Sequence, residues 1–425
     1  MERVRKKEYY KKKKIVYNRM CLMITPQTLK GFRDFLPVDV SKRQWVCGIM
    51  AKTAELWGYE PIETPTLESL SLFEGEIGED EKLFFKFKDQ GDRSVALRYD
   101  QTVPTCRYVA NNLENITIPF RRYQYQTVFR AEKPQKGRYR EFTQFDVDIF
   151  GVANPKADAE VMALNLDTYL KIGFKKPIII FNNRDLMKGI PYQAIAAIDK
   201  LKKIGGDGVI QDMMAKGIEK KQAKEYLNTV ITMQPDETIN IIIQYLEKSG
   251  FGREFYRFEP TLASSFSYSE GPIWEIVIED YTVGSVGGGE RYDGMMKRLT
   301  GLDIPATGLA IGFDRTVEAA DQLNLIPKMQ NTRILVTIFS INELGSSIQI
   351  AKTLRNAKLN TELYPDSNAK LDKQLKYADR KDIPYCVIIG PKEREKNVVI
   401  LKNMKTKEQI TVSIEEVIRL LISSD

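Results

Sequence analysis

The sequence predicts an α/β protein of two or three domains, and three observations carry that expectation. Residues 120–151 (FRRYQYQTVFRAEKPQKGRYREFTQFDVDIFG) read as two strands around a loop containing Pro134 and Gly137. Residues 183–254 then interrupt the strand-rich parts with amphipathic helical periodicity, broken at Gly205, Gly206 and Gly208. From Ile334 onward short apolar strands alternate with helical stretches, the pattern of a small α/β domain.

A chain of 425 residues is too long for one ordinary core. Its 43% apolar and 28% charged residues are those of a soluble globular protein. No apolar run approaches the roughly 20 residues needed to span a bilayer, so no membrane association is expected. The basic, tyrosine-rich N-terminus lacks the apolar stretch of a secretory signal. Cys21, Cys47, Cys106 and Cys386 are scattered without metal-ligand spacing, which suggests reduced thiols, a cytoplasmic location and no protein-bound metal. The chain contains no histidine, which excludes imidazole-based general base catalysis and His-Cys zinc sites. Acid–base work falls to carboxylates, lysine, tyrosine or the substrate.

The net charge of +7 is local. Residues 1–22 carry nine Lys/Arg against Glu2 and Glu8, which accounts for all of it, so the body is neutral and no generic polyanion binder. Residues 1–24 are expected as a disordered basic extension. A nucleic-acid arm is the alternative, and Met20 and Met23 are plausible starts.

In chain order, Val46, Ile49, Met50, Ala54 and Trp57 are spaced as one face of a helix from Pro37, ended by Gly58. Tyr59 to Leu67 is extended, confined to an edge or interface by Pro61 and Pro65. Phe84–Lys88 and Ser94–Tyr99 are strands across a turn, and Thr102–Asn111 is a helix with Pro104 in its first turn. Asn154 and Pro155 open a helix over roughly 155–171, followed by a short strand at 177–182. After the helical insertion, strands resume at 273–279. Residues 286–293 (VGGGERYD) are expected as a glycine-rich turn, and Gly308, Ala310 and Gly312 put small residues on one face of a strand running into a helix. A linker is expected at 322–332.

Alternation divides the 120–151 hairpin into two faces. Tyr123, Tyr125 and Phe129, with Phe145, Val147 and Ile149, point toward a core. Arg122, Gln124, Gln126 and Arg130 oppose them on the first strand, and Arg138, Arg140, Phe142, Gln144, Asp146 and Asp148 on the second. Guanidinium groups, a ring, an amide and carboxylates on one face are suited to a polyphosphate, a base and a small polar ligand. For Arg121 and Arg122 a solvated face is the open alternative, and Gly308 and Gly312 could simply permit tight packing.

In this order the segments resemble class II aminoacyl-tRNA synthetases, most closely histidyl-tRNA synthetase, from about Thr25 to the C-terminus. LKGFRDFLP (29–37) is similar to that family's opening, and GYEPIETPTL (58–67) to motif 1 with its proline at Pro65. The 120–151 hairpin is similar to motif 2 and GLAIGFDR (308–315) to motif 3. LRYDQTVPTCRYV (97–109) and GGGERYDGM (287–295) point to the histidine-specific member. The resemblance implies an antiparallel catalytic sheet flanked by helices over 25–325, with the helical insertion at about 183–254 inside it. It implies an anticodon-binding domain over 333–425. It also implies a homodimeric histidine–tRNA ligase that uses ATP with Mg²⁺, histidine and tRNA(His). Arg130 would hold the α-phosphate, with Arg130 and Arg315 the catalytic pair. Phe142 and Arg315 would sandwich adenine, Glu132 would reach its amino group, and Arg138 would meet the outer phosphates or the acceptor end. Asp100 and Thr102 would take the α-ammonium, Gln144 and Asp148 would read the imidazole, and Tyr292 would close the pocket.

Two departures from the pattern stand out. In TLASSFSYSEG (261–271) Ser264 replaces the family's arginine and Ser269 its second tyrosine, while Glu290 stands where glycine is usual. Gln124, Ala131 and Thr143 occupy positions where relatives often carry histidine. The alternative to an active ligase is a catalytically impaired paralogue that senses tRNA or histidine. A regulatory subunit of the ATP phosphoribosyltransferase shares the core but lacks an anticodon-binding domain.

Overall fold

The computed structural model describes residues 26–74, 83–134, 138–263, 270–281, 284–329 and 332–422. The chain forms two compact units, one of residues up to 35 and 46–325, the other of 36–45 and 326–425. The N-terminal extension to residue 25 lies outside the described residues. Among those described, no helix is long and apolar enough to cross a membrane.

Helix α1 (Pro37–Leu56), which belongs to the larger unit from Val46 onward, buries Val46, Met50, Thr53 and Ala54 at helical spacing. Strands β1 (Glu60–Pro61), β2 (Leu67–Ser69), β3 (Lys86–Lys88) and β4 (Ser94–Leu97) follow, then helix α2 (Thr102–Asn111). The long hairpin is β5 (Phe120–Phe129) and β6 (Glu141–Phe150). Helix α3 (Lys156–Ile172) comes next, its first amide bonded by the Asn154 side chain at 3.0 Å. It ends at Gly173, whose φ of +112° gives the left-handed cap that a side chain would resist.

Strand β7 (Pro177–Asn183) leads into helices α4 (Tyr192–Ile198), α5 (Leu201–Ala215), α6 (Lys220–Ile231) and α7 (Glu237–Lys248). The glycine break falls inside α5, where Gly205 leaves helical geometry. Helices α4–α6 share a core of their own that includes Ile195, Ile198, Val209, Met213, Leu227 and Val230. Helix α7 does not belong to that core. Asp236 caps it at 2.8 Å from the Ile239 amide, and it packs on α3 and β7. The self-contained insertion is therefore shorter than the helical periodicity suggests.

Strands β8 (Tyr256–Phe258), β9 (Pro272–Ile278), β10 (Gly287–Arg291), helix α8 (Asp293–Thr300), β11 (Ala306–Gly312) and helix α9 (Phe313–Gln322) complete the unit. One sheet runs in the order β1-β5-β6-β11-β10-β9-β7-β8. Its six inner strands are antiparallel, and each edge strand pairs parallel to its neighbour. A small sheet β2-β4-β3 packs its Phe84, Ala96 and Tyr99 neighbourhood against Val103 and Cys106 of α2 and Met295 of α8.

The glycine-rich 286–293 segment corrects an expectation, because residues 287–291 are a central strand and not a turn. The reason is steric. A Cβ on Gly289 would lie 2.3 Å from the Trp274 ring and 2.5 Å from the Gly308 carbonyl oxygen. The strand is glycine-rich because its neighbours on both sides approach closely.

The smaller unit has strands β12 (Ile334–Val336), β13 (Thr361–Leu363), β14 (Tyr385–Ile388), β15 (Val399–Asn403) and β16 (Gln409–Val412). Helices α10 (Leu344–Asn356), α11 (Leu371–Arg380), α12 (Pro391–Glu395) and α13 (Ile414–Ile422) alternate with them. The order is β13-β12-β14-β15-β16, a parallel trio extended by two antiparallel strands. Val336, Leu354, Val387 and Val417 meet in its core.

In the large sheet, cross-strand register places Arg122 opposite Asp148, Gln124 opposite Asp146 and Gln126 opposite Gln144. Arg122 and Asp148 form an ion pair with side chains 0% and 4% exposed. Removing the cation would strand a buried carboxylate, so Arg122→Met should cost about 3–5 kcal/mol in chemical denaturation. Adding Asp148→Asn should recover part of that loss. Gly289→Ala should cost about 1–3 kcal/mol by overpacking against Trp274, read as a lower melting temperature.

Candidate functional site

The polar face of β5 and β6 continues across β11, where Gly308 lies beside Asp148, Ala310 beside Asp146 and Gly312 beside Gln144. Strand β10 then sets Glu290 beside Gly308 and Gly288 beside Ala310. This run of small residues leaves a low floor. A Cβ on Gly308 would fall 1.7 Å from Asp148 Oδ1, so the Asp148 carboxylate occupies the space a side chain would need. A cavity of about 490 Å³ opens over this floor.

Nine of the ten residues singled out in the sequence line it. Phe142, Arg130, Arg138 and Arg315 contribute cations and a ring; Asp100, Thr102, Gln144, Asp148 and Tyr292 contribute the polar remainder. The tenth, Glu132, is not among the lining residues, and its carboxylate pairs with Arg138 Nε at 2.9 Å. A loop glutamate beside a loop arginine satisfies that charge locally, a pairing that alternation cannot reveal.

Arg130 donates through Nε to the Tyr99 carbonyl at 3.1 Å, with its guanidinium carbon 5.1 Å from the centre of the Phe142 ring. Arg315 donates through Nη1 to the Ser285 carbonyl at 3.0 Å. Backbone carbonyls thus fix both guanidiniums without neutralising them. Such groups suit phosphate oxygens.

The opposite end is acidic. Burial pushes the Asp100 carboxyl up to about 6, with Arg130 pulling the other way. Burial also raises Asp148, while Arg122 and a hydrogen bond from the Tyr292 hydroxyl at 2.5 Å hold it back. The Tyr292 phenol is pushed well above its ordinary value by burial and then by Asp148, so it remains a donor. Beneath them Asp146 is 2% exposed, and neither of its oxygens accepts a hydrogen bond. Burial pushes it well above the usual carboxylate range, against the pull of Arg122. The cluster resists carrying three negative charges at once.

Sequence reasoning missed the supports. Arg122, for which a solvated face was the alternative, is buried beneath the site. Arg121 instead pairs with Glu160 through Nε at 2.6 Å. Asp314 accepts from the Thr143 amide and from Arg33 Nη2, each at 2.7 Å, and Arg33 lies 3.4 Å from the centre of the Tyr139 ring. These join the 29–37 segment to the start of α9 and to β6. Their only signal was the LKGFRDFLP motif, which carries no information about its distant partners. Ser264 and Ser269 lie outside the described residues.

Comparison with known proteins gives the family and the fold. The histidyl-tRNA synthetase family matches residues 31–204, and the anticodon-binding domain family matches residues 335–424. A histidine–tRNA ligase of Cytophaga hutchinsonii is 33% identical over 94% of this chain and 100% of its own length. One from Bacteroides fragilis is 35% identical over 93% and 99%. In fold, the chain is similar to the crystal structure of histidyl-tRNA synthetase from Nostoc, with a TM-score of 0.79 over 93% of this chain and 99% of that one, at 24% identity. With 33–35% identity along almost all of its length, the chain belongs to the histidyl-tRNA synthetase family.

Proposed function

We propose that the chain activates histidine with ATP and transfers it to the 3′ end of tRNA(His), using the cavity over β6 and β11 for both substrates. The observation that carries this reading is the polarity of that cavity along one strand. Phe142 with its guanidiniums lies six residues from Asp148, roughly 20 Å at strand spacing, which suits a nucleotide end to end with an amino acid.

In the first step the histidine carboxylate attacks the α-phosphorus of ATP and pyrophosphate leaves. Arg130 meets the charge growing on the α-phosphate, Phe142 and Arg315 hold adenine, and Arg138 meets the outer phosphates or the acceptor end. Glu132, paired with Arg138, would reach adenine only by exchanging that partner. Asp100 and Thr102 hold the α-ammonium, Gln144 and Asp148 read the imidazole, and Tyr292 fixes Asp148. In the second step the terminal ribose hydroxyl attacks the acyl carbon and AMP leaves. With no histidine in the chain, the hydroxyl proton passes to a carboxylate or to the reacting phosphate.

Mg²⁺ enters with the phosphates of ATP. Among the described residues no three acidic, cysteine or histidine side chains are grouped to hold a metal ion. We read residues 25–325 as the catalytic domain and 333–425 as the anticodon-binding domain, in a cytoplasmic homodimer. The match at 335–424 supports the second assignment.

Pyrophosphate exchange into ATP should depend on histidine and on no other amino acid; no exchange with any of the twenty would exclude the ligase reading. Arg130→Ala should lower its rate about 10²–10³-fold. Carbethoxylation of imidazole groups should leave activity intact, because the protein has none to modify. Ser264 favours one competing reading, a paralogue that binds but reacts poorly. Ser264→Arg separates the two. Little change marks an active site already supplied with cations, whereas a large gain from near zero marks the impaired paralogue.

A further inference from the structure

We propose that Arg33 is a positioning residue for the nucleotide: it sets the gap between Phe142 and Arg315 from outside the cavity. The proposal rests on the assignment of the Phe142 end of the cavity to ATP.

The need for such a residue follows from where the sheet stops. The ladder between β6 and β11 ends at the pair Gln144 and Gly312. Phe142 lies two residues beyond that pair on β6, and Arg315 three residues beyond it, already inside α9. The β6–β11 ladder therefore reaches neither of them, and a side chain takes over its task. Asp314 accepts from the Thr143 amide through Oδ2 at 2.7 Å. Its other oxygen, Oδ1, accepts from Arg33 Nη2 at 2.7 Å. Thr143 and Asp314 are the chain neighbours of Phe142 and Arg315. The carboxylate thus links the two backbones that carry the adenine contacts, and Arg33 fixes the carboxylate.

The same guanidinium holds a further part of the wall. Its carbon lies 3.4 Å from the centre of the Tyr139 ring and 4.9 Å from that of Phe35. Tyr139, Phe142, Asp314 and Arg315 all line the cavity, whereas Arg33 is not among its lining residues. A planar guanidinium can give one edge to a carboxylate and a face to a ring, which an ammonium group cannot do. The segment that carries Arg33 is itself pinned to the hairpin. The Arg140 amide donates to the Gly31 carbonyl at 3.0 Å, and Arg140 Nε donates to the Glu132 carbonyl at 2.9 Å. The Arg33 and Asp314 side chains are 26% and 11% exposed, so their pair lies at the edge of the interior. Without Arg33, Asp314 still accepts from the Thr143 amide. Loss of this cation therefore costs the fold far less than loss of Arg122, and its effect should show in ATP binding.

The test uses the full 425-residue chain, with ATP alone and histidine alone as the two probes. Titration calorimetry should show Arg33→Met weakening ATP about tenfold while histidine binds as before. Arg33→Lys keeps a cation for Asp314 and gives up the planar stack on Tyr139, so its affinity should fall between the two. Tyr139→Leu should also weaken ATP, and combining it with Arg33→Met should cost less than the product of the two single effects. In pyrophosphate exchange Arg33→Met should raise the KM for ATP and leave that for histidine in place. Unchanged ATP affinity in Arg33→Met, or equal weakening of ATP and histidine, is the mark of a brace that only stabilises the fold, and would overturn the proposal. A wild-type chain that binds histidine but not ATP would overturn the assignment of the Phe142 end as well. Binding of both without exchange would count against the ligase reading alone and leave this comparison readable.

Discussion

The buried pair of Arg122 and Asp148 is the constraint on which the site depends. Strand β6 carries three polar residues in alternation, Gln144, Asp146 and Asp148, on a face that the fold then covers. Burying carboxylates in this way costs several kcal/mol each unless partners are supplied. Arg122 supplies one from the adjacent strand, and its own Nη1 donates to Gln124 Oε1 at 3.1 Å. Gln124 in turn donates to Thr64 Oγ1 at 2.8 Å and accepts from Thr105 Oγ1 at 3.2 Å. The ion pair is thus one link in a polar layer that ties the 62–65 segment and α2 to the ligand cavity.

Small residues supply what the ion pair cannot, which is room. Gly308, Ala310 and Gly312 lower one strand, and the glycines of β10 lower the next, so a cavity forms on a sheet that would otherwise be carpeted by side chains. The two faces of the sheet are coupled through this choice. Gly289 is small because Trp274 fills its other side, whereas Gly308 is small because Asp148 leans across it. One strand spacing therefore separates a packing requirement from a binding requirement, and both read as glycine.

That ambiguity shows how far the sequence alone could reach. Period-two alternation placed Phe142, Gln144 and Asp148 on one face, and the register of β5 with β6 sets them opposite Val128, Gln126 and Arg122. Helices such as α1 and α3 were legible because caps, proline and apolar spacing act locally. What was not legible depended on distant partners. A run of glycines looks like a turn until Trp274 is known to lie against it, and Arg122 looks solvated until Asp148 and Gln124 are known to pair with it in the interior. Helix α7 has the same periodicity as the insertion helices and differs only in what it packs on. Alternation reports direction; burial depth is a property of the whole sheet.

The electrostatics of the finished site follow from the same distinction. Its Phe142 end holds guanidiniums tied to backbone carbonyl oxygens. Its other end holds carboxyls that burial raises together, Asp100, Asp146 and Asp148, against the pull of Arg122 and Arg130. In a chain without histidine the site offers no imidazole of its own, and its chemistry is set by guanidiniums held on carbonyl oxygens at one end and buried acids at the other.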